Sequence, residues 1–509
     1  MQEKMRSNSS LRKPKEHCAV FGVSCDDVEY SITQFLYTGL ISLQHRGQES
    51  SGISLLKKRG KIFTYKREGL VSKVLDKRHL FKYWGNIGIG HNRYATTGSE
   101  EFSSVDLMQP YHFKNDKIDF SFGFNGTIAN YKEIQEEMKE KGHIFVNDTD
   151  TEVIAQLIAS ISLTTNNWPD ILEKATETLD GSYSLILLTS NGEIYAIRDP
   201  LGFKPLCIGR KRTKKRTFYF VASESCAIDS LGGEFMRDVK PGEILHIDYQ
   251  EGVKRDLILS NNKTAVCQFE FVYFARPDSI IDGISVFEAR LNMGKNLARN
   301  DPKLKDPEFI KNAIVVPVPD SGRSAAVGYA NESGLPYLEG LMKNRYVWRT
   351  FIMPGQQKRK SAVQEKLNPI KSVVNDKDII LIDDSIVRGN TTKQIIKLIK
   401  EAGAKSVNVR ISAPPVISAC YMGVDFPTTD ELIAGKAFIK FGREKYIDRV
   451  KDIIGADTLI YQTIEGLEKA IGLKSGLCMA CLTGKYPLKT LDNLSKVEES
   501  FTQTRKKRS

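Results

Sequence analysis

The feature that most constrains the fold of this chain is a change of pattern near its middle. Before about residue 255, short apolar runs separated by Gly, Asn and Asp turns predict a β-rich domain with sheets layered beneath outer helices. After about residue 265, apolar runs alternate with helical segments, which predicts a parallel sheet with helices on both faces. A chain of 509 residues is also too long for one ordinary core. We therefore expect domains at residues 18–260 and 261–490, divided at the polar Asn261-Asn262-Lys263.

The expected strands and helices follow these two patterns. In the first domain we expect strands at 19–22, 87–89, 120–124, 184–188 and 193–197, and helices at 32–43, 134–141 and 151–161. In the second domain we expect strands at 313–318, 378–382 and 406–411, and helices at 324–330 and 391–402. Ligands of such α/β sheets bind at the carboxyl ends of the strands, so the residues that follow these strands are candidates for a site.

Composition excludes some partner classes. Hydrophobic residues make up 41% of the chain, as in ordinary globular proteins, and no apolar run is long enough to span a bilayer. The formal net charge is +12, but the basic residues are scattered rather than gathered on one helix. An anionic small substrate accounts for this excess as well as nucleic acid would. We therefore predict small-molecule substrates, no membrane and no nucleic acid.

Both ends of the chain are polar and basic. Residues 1–17 contain five Lys or Arg and no apolar core, which excludes a secretory signal. A removable leader or a disordered tail fits them better than a short organelle address. Residues 491–509 have the character of a solvated basic tail. Without an export signal, the eight cysteines are expected to be free, catalytic or metal-bound, and the chain is expected in the cytoplasm.

Four segments of the first domain hold more polar side chains than a core needs, namely residues 44–50, 91–98, 124–130 and 148–152. Taken alone, each has a plain interpretation: Asn125-Gly126 is a common turn, and Asp150 is a helix N-cap before Val153. Together with the sequence CAVFG at 18–22, they resemble, in order, the glutaminase domain of the N-terminal-nucleophile amidotransferases. The resemblance covers roughly residues 18–245 and implies a four-layer αββα fold. The chain departs at Ala19, where the family usually has Gly, and this small change should matter little.

This resemblance implies a role for each matched side chain. Cys18 would attack the amide carbon of glutamine, and Asn125 and the Gly126 N–H would form the oxyanion hole. Arg93 would hold the substrate α-carboxylate, and Asp150 the α-ammonium. Cys18 would have to be the first residue of the mature protein, with residues 1–17 as a propeptide, because a free α-amine can then take the thiol proton.

The strongest pattern of the second domain is the run at residues 379–392. An apolar strand ends in Asp383 and Asp384, and a small polar loop then opens a helix. The free N–H groups at a helix N-terminus suit a phosphate, and two carboxylates can accept ribose hydroxyls or bind a metal. The plain alternative is a surface loop with ordinary capping residues.

The run resembles the phosphoribosyl pyrophosphate signature of type I phosphoribosyltransferases, and residues 317–323 resemble the pyrophosphate loop of that fold. The resemblance implies a substrate site made of Lys343, Asp383, Asp384, Ser385, Arg388, Gly389, Asn390 and Thr391. It also implies one Mg²⁺ per subunit at Ser321, Asp383 and Asp384, where the ion would position the leaving pyrophosphate. The basic segment 343–366 matches the family's flexible loop, although Trp348 stands where the family usually has Gly.

The second domain contains four cysteines, Cys267, Cys420, Cys478 and Cys481. The two-residue spacing of Cys478 and Cys481 lets both thiolates reach one centre, and four thiolates suit either Zn²⁺ or an iron–sulfur cluster. Spacing alone favours zinc, and buried free thiols are the plain alternative. The sequences around Cys267 and Cys481, however, resemble the cluster-bearing branch of the amidophosphoribosyltransferases, which implies one 4Fe–4S cluster per subunit.

Over roughly residues 18–490 the two halves together resemble the amidophosphoribosyltransferase family. The resemblance implies the first step of purine biosynthesis, in which ammonia from glutamine is channelled to phosphoribosyl pyrophosphate to form 5-phosphoribosylamine. It also implies a homotetramer inhibited by purine nucleotides. Two alternatives remain open: an enzyme of the same glutaminase group that feeds another synthetic site, and a decayed enzyme that binds nucleotides as a regulator. The run at 379–392 opposes the first, and intact Cys18, Asn125, Asp383 and Asp384 oppose the second.

Overall fold

The computed structural model describes residues 18–94, 107–259, 263–344, 367–424, 426, 429–474 and 476–488. The expected leader at 1–17, the tail at 491–509 and most of the expected flexible loop, including Trp348, lie outside the described residues.

The first domain is built on two antiparallel sheets. Its strands are β1 (Ala19–Cys25), β2 (Ser50–Lys57), β3 (Lys61–Glu68), β4 (Ile87–Arg93), β5 (Tyr111–Lys114), β6 (Asp119–Ile128), β7 (Gly181–Thr189), β8 (Glu193–Arg198), β9 (Cys207–Arg212), β10 (Thr217–Ala222), β11 (Glu234–Asp238), β12 (Glu243–Asp248) and β13 (Gly252–Ile258). The strand order is β11-β9-β10-β1-β4-β2-β3 in one sheet and β13-β12-β8-β7-β6-β5 in the other.

Helices cover the outer face of each sheet. They are α1 (Thr33–Ser42), α2 (Val71–Val74), α3 (Tyr131–Glu140), α4 (Asp150–Ile161), α5 (Trp168–Thr178) and α6 (Ser225–Asp229). One core lies between the sheets and includes Val20, Ile89 and Ile186. A second core joins α1 and α6 to the sheet of β1, and a third joins α3, α4 and α5 to the sheet of β6. The expected four-layer αββα arrangement is confirmed.

The second domain begins with short paired elements and then forms a parallel sheet. Its strands are β14 (Val266–Cys267), β15 (Ile280–Ile281), β16 (Ile284–Ser285), β17 (Ala313–Pro317), β18 (Leu341–Lys343), β19 (Leu367–Pro369), β20 (Asp378–Asp383), β21 (Ser406–Ile411), β22 (Thr458–Tyr461) and β23 (Leu477–Cys478). Four of them form a parallel sheet in the order β17-β20-β21-β22. Apolar residues alternate between its two faces, so each face can bury a helical layer.

Helices pack on both faces of this sheet, as the alternating pattern predicted. They are α7 (Val286–Arg299), α8 (Pro307–Asn312), α9 (Arg323–Ser333), α10 (Lys371–Val374), α11 (Asn390–Glu401), α12 (Ile433–Phe441), α13 (Tyr446–Ile454), α14 (Ile464–Ile471) and α15 (Ala480–Thr483). The core with α7 and α9 uses Val315, Ile380 and Ile382 of the sheet. The core with α11, α12 and α13 uses the opposite set, including Ile379 and Leu381. No helix within the described ranges is both long and apolar enough to cross a membrane.

Candidate active sites and thiol cluster

Cys18 lies at the start of β1, where the two sheets of the first domain meet. Its side chain is buried, and its main-chain N–H donates to Asn125 Oδ1 at 3.2 Å. Because β1 belongs to one sheet and β6 to the other, this hydrogen bond joins the two sheets at the expected nucleophile. The structure therefore brings Cys18 and Asn125 together across 107 residues of sequence.

Asn125 and Gly126 lie on β6 and pair with β7. The Asn125 side chain is fully buried, and its Nδ2 has no hydrogen-bond partner among the described residues. Gly126 has a φ of 154°, and a Cβ built there would lie 1.9 Å from the carbonyl oxygen of Ser182. Only glycine allows this approach of the strands, so the local fold fixes Gly126 beside an unused amide donor.

Arg93 and Asp150 each adjoin one of the two strands that meet at Cys18 and Asn125, since β4 pairs with β1 and Asp150 contacts the end of β6. Arg93 is buried at the end of β4, and its Nη1 donates to the carboxylate of Glu49. Asp150 is the first residue of α4, and its Oδ2 accepts the N–H of Ile128 at the end of β6, at 3.4 Å.

The alternative interpretation of Asp150 as a helix N-cap is wrong. The capping residue is Thr149, whose side chain accepts the N–H of Glu152 at 3.2 Å. Because the Thr149 hydroxyl already accepts from the helix terminus, the Asp150 carboxylate is not needed for capping.

Sequence reasoning missed a buried group of charges behind Cys18. Arg46 Nε donates to the Cys18 carbonyl at 3.2 Å, and its Nη1 donates to Glu224 Oε1 at 2.6 Å. His45 Nε2 lies 2.7 Å from the same Glu224 oxygen. Burial alone would raise the pKa of Glu224, but the charges of His45 and Arg46 hold it well below its ordinary value. The polar segment at 44–50 was a signal for this group, but its partners lie too far along the chain to be inferred.

Arg46 also contacts the second domain. Its Nη1 and Nη2 donate to Glu270 Oε2 and Oε1 at 2.8 and 2.7 Å. Lys204 Nζ lies 3.7 Å from Glu270 Oε1, and all of these side chains are buried. The two domains therefore share one set of compensated charges next to Cys18.

His91, in another of the polar segments, is also buried. Its Nε2 lies 3.1 Å from the carbonyl oxygen of Phe124, the residue before Asn125. Burial lowers the pKa of His91 to about 3, so the ring is neutral at neutral pH and its Nε2–H donates to this carbonyl. This contact supports the strand that carries the expected oxyanion hole.

The acid pair of the second domain lies where the sequence predicts it, at the carboxyl end of β20. Asp383 and Asp384 are both buried, and the N–H of Asp384 donates to Asp383 Oδ1 at 2.9 Å. Burial, followed by the charge of Asp384, raises the pKa of Asp383 well above its ordinary value. Burial also raises the pKa of Asp384, although hydrogen bonds from Ser321 and Ser385 oppose this shift. Two buried carboxyls in contact favour an arriving cation or hydroxyl donor.

A short loop leads from the acid pair to α11. The Ser385 hydroxyl donates to Asp384, and Gly389 has a φ of 77° immediately before Asn390 and Thr391 open the helix. A Cβ at Gly389 would lie 2.6 Å from Cδ1 of Ile433, so this loop closely approaches α12.

Two cationic side chains at this edge of the sheet hold ion pairs with neighbouring acids. Arg388 Nε donates to Glu431 Oε2 at 3.0 Å, and Lys343 Nζ lies 2.6 Å from Asp320 Oδ2. The Asp320 residue precedes Ser321 in the expected pyrophosphate loop, so that loop and β18 lie beside each other.

The thiol cluster, defined as Cys267, Cys420, Cys478 and Cys481, is buried in one apolar core. Strands β14 and β23 pair Cys267 directly with Cys478, and Gln268 Nε2 donates to Cys481 Sγ at 3.5 Å. Burial raises the pKa of the Cys267 thiol to about 12 and also raises the pKa of Cys478 and Cys481, with added charge effects between the thiols.

These four soft sulfur donors fit a thiolate-bound metal centre chemically. Within the described part of the chain, no three His, Cys, Asp or Glu side chains already converge as ligands of one ion.

The fold defines a class of protein: a glutamine amidotransferase domain of the N-terminal-nucleophile fold joined to a parallel-sheet domain of the phosphoribosyltransferase type. Residues 100–230 match the family model described as "Glutamine amidotransferase domain".

Amidophosphoribosyltransferases from two organisms match almost the whole chain. The protein from Methanocaldococcus jannaschii is 43% identical over 484 residues, which are 92% of this chain and 97% of that protein. The protein from Bacillus subtilis is 40% identical over 485 residues, or 94% of this chain and 96% of that protein. The solved structure of the B. subtilis glutamine phosphoribosylpyrophosphate amidotransferase, complexed with ADP and GMP, has a TM-score of 0.80 at 39% identity and covers 93% of this chain and 98% of that one.

This chain belongs to the amidophosphoribosyltransferase family. It is an enzyme of purine biosynthesis that aminates phosphoribosyl pyrophosphate at the expense of glutamine.

Proposed function

We propose that Cys18, once residues 1–17 have been removed, is the nucleophile of glutamine hydrolysis and that its own α-amine is the base. The observation that carries this proposal is the 3.2 Å hydrogen bond from the Cys18 nitrogen to Asn125 Oδ1. After cleavage the same oxygen can accept from the α-amine and hold its lone pair toward the thiol. The amine takes the thiol proton, and the thiolate attacks the glutamine amide carbon.

When the thiolate attacks, the amide oxygen of glutamine becomes negatively charged, and two hydrogen-bond donors would stabilise it. Asn125 Nδ2 is buried beside the Cys18 nitrogen and has no partner among the described residues, and the Gly126 N–H is the next donor on β6. As the tetrahedral intermediate collapses, the α-ammonium of Cys18 returns its proton to the leaving nitrogen, so ammonia departs and a thioester remains, which water hydrolyses to glutamate and the free thiol.

Two further side chains select glutamine by its amino-acid end. Arg93 presents a guanidinium to the substrate α-carboxylate, in place of part of its present pairing with Glu49. Asp150 presents a carboxylate to the α-ammonium from the N-terminus of α4.

The second site binds phosphoribosyl pyrophosphate along β20 and α11. Asp383 and Asp384 accept the ribose hydroxyls, while Ser385, Gly389, Asn390 and Thr391 offer main-chain and hydroxyl donors to the 5-phosphate. Arg388 and Lys343 add positive charge for the phosphate groups. Ammonia from the first site attacks the anomeric carbon, and pyrophosphate leaves.

A magnesium ion at Ser321, Asp383 and Asp384 would offset the charge of the leaving pyrophosphate when bound. The two buried carboxyls, whose pKa values burial raises, supply the oxygen ligands that this ion prefers.

The thiol cluster would hold a 4Fe–4S centre, and zinc is the alternative metal that the same four sulfurs could bind. Such a centre would crosslink the start and the end of the second domain, because Cys267 and Cys478 lie on paired strands.

Membership of the amidophosphoribosyltransferase family also leads us to expect inhibitors and an oligomeric state. We expect purine nucleotides to inhibit the enzyme, since the B. subtilis structure holds ADP and GMP. We also expect a homotetramer in the cytoplasm, and ammonia that travels between the two sites inside the protein.

Two substitutions test the separate sites. Cys18→Ser should abolish glutamate release and leave ammonia-dependent phosphoribosylamine synthesis, whereas Asp384→Asn should do the reverse, because each residue serves one half-reaction. Both reactions are measured on protein purified without air, and the intact mass of the active protein should place its first residue at Cys18. Cys25→Ser, a buried thiol on the same strand β1, is the control and should retain both reactions.

Loss of both reactions in Cys18→Ser would instead assign Cys18 to folding. Active enzyme whose mass still includes residues before Cys18 would remove the α-amine as the base.

A further inference from the structure

Arg46 holds the main chain of Cys18 from behind. Its Nε donates to the Cys18 carbonyl, and its other two nitrogens reach Glu224 of the first domain and Glu270 of the second. The guanidinium plane is therefore set by two carboxylates, and a rotation of Arg46 would move the backbone that carries the thiol. Glu270 supplies the two-point contact, which is the geometry that best fixes a guanidinium.

The buried ion pairs around Arg46 extend across the domain boundary. Arg46 and Lys204 are cationic and come from the first domain, while Glu224 and Glu270 are anionic and come from one domain each. All four are almost wholly buried, so a change at any one leaves an uncompensated charge in the interior.

Glu270 itself is held by the second domain. It opens a π-helical turn, Glu270–Phe274, which follows β14. Arg290 of α7 donates to the carbonyls of Phe271 and Ala275 at 2.7 and 2.8 Å, so it clamps both ends of the turn.

Arg290 is itself almost wholly buried. Burial lowers the pKa of Arg290 to about 10, and the carboxylate of Asp384 is the largest charge that opposes this shift. Glu270 of this turn therefore reaches the Cys18 backbone through Arg46, while Arg290 fixes the turn that carries Glu270.

We propose that Glu270 is a positioning residue for glutamine hydrolysis, supplied to the glutaminase site by the phosphoribosyltransferase domain through the turn that Arg290 holds. The inference rests on the proposed roles of Cys18 and Asp384. The second domain would then contribute to glutamine hydrolysis itself, in addition to using the ammonia that the hydrolysis releases.

The test compares three variants of the full enzyme. Glu270→Gln keeps the size of the side chain but removes its charge. It should lower kcat for glutamate release at least about tenfold, because a hydrogen bond to a charged group is lost, and should change KM for glutamine little. Ammonia-dependent synthesis should persist.

Glu270→Asp retains the charge and should recover part of the lost kcat. Asp282→Asn alters a second interdomain ion pair, with Arg198, that does not touch Cys18, and should leave both reactions intact.

A second measurement reports on the thiol itself. The alkylation profile, defined as the rate of alkylation of Cys18 by iodoacetamide measured as a function of pH, should be displaced to a different pH in Glu270→Gln. It should be unchanged in Asp282→Asn. Arg290→Lys, which keeps the charge but cannot clamp both carbonyls, should lower glutamate release because the turn that carries Glu270 loses its support.

Two results would overturn the inference. One is a Glu270→Gln enzyme with normal glutamate release; the other is equal loss of both reactions in Glu270→Gln without recovery in Glu270→Asp. If Glu270→Gln does not fold, the Glu270→Asp protein decides: a kcat for glutamate release and an alkylation profile of Cys18 that both match the unmodified enzyme count against the proposal. Failure of the proposed function would look different, since Cys18→Ser would then still release glutamate.

Discussion

At the scale of single residues, Asn125 performs two tasks with one amide. Its oxygen accepts from the Cys18 nitrogen, and its nitrogen is a buried donor without a partner among the described residues. A buried polar atom without a partner costs stability and requires an explanation, and a donor kept for a ligand is one such explanation. The position suits the oxygen that becomes negative during attack on the amide carbon.

Asn125→Ala should therefore lower kcat for glutamate release roughly a hundredfold to a thousandfold, the usual effect of removing one oxyanion donor. Ammonia-dependent synthesis should continue, because its residues lie in the other domain. Steady-state rates with glutamine and with ammonia check this, and the exposed amide substitution Asn300→Ala serves as the control. Equal losses with both nitrogen sources would indicate damage to the fold.

At the scale of elements, strands bounded by turns could be predicted from the sequence, whereas buried contacts between residues far apart in the sequence could not. Strand β21 was expected at 406–411 and has those bounds, because its apolar residues end at clear polar breaks. Strand β6 was expected only at 120–124, but it runs on to Ile128. The prediction stopped early because polar Asn125 and Thr127 interrupt the apolar pattern that marks a strand.

The acid pair and its loop could be placed because they adjoin in sequence. The contact of Arg46 with Glu270 could not, since 224 residues separate them and only the packed domains bring them together.

The loop before α11 offers a test of element geometry. Gly389 and Gly455 share a φ of 77°, but a Cβ at Gly389 would approach Ile433, whereas a Cβ at Gly455 has open space. Gly389→Ala should destabilise the protein more than Gly455→Ala, which bears only the left-handed strain of about 1–2 kcal/mol. Gly389→Ala should also weaken binding of phosphoribosyl pyrophosphate, because the loop before α11 cannot retain its backbone conformation.

Thermal midpoints and the KM for phosphoribosyl pyrophosphate measure the two effects. Equal behaviour of the two alanine variants would mean that Ile433 yields to the added methyl group.

At the scale of the whole molecule, the thiol cluster lies in a core that spans both domains. This core includes Leu201 and Phe203 of the first domain together with Phe269 and Phe271 of the second. A metal centre on the four thiols would therefore stabilise the junction of the domains as well as the second domain.

Cys478→Ser should give a protein with less bound metal, a lower thermal midpoint and poor solubility. Cys207→Ser, which alters a buried thiol outside the cluster, should retain the metal. Iron, acid-labile sulfide and zinc are assayed in protein prepared without air. Iron with sulfide supports the 4Fe–4S centre, and zinc without sulfide would replace it.

The charge balance around Arg46 has a consequence for how such an enzyme can change over generations. Each domain contributes part of one set of paired buried charges, so a half exchanged with a distant relative by recombination would arrive with some of its charges unmatched. The same junction would resist separate expression of either half. The two catalysts are therefore expected to be inherited as a unit, with the seam between them among the slowest parts of the molecule to diverge.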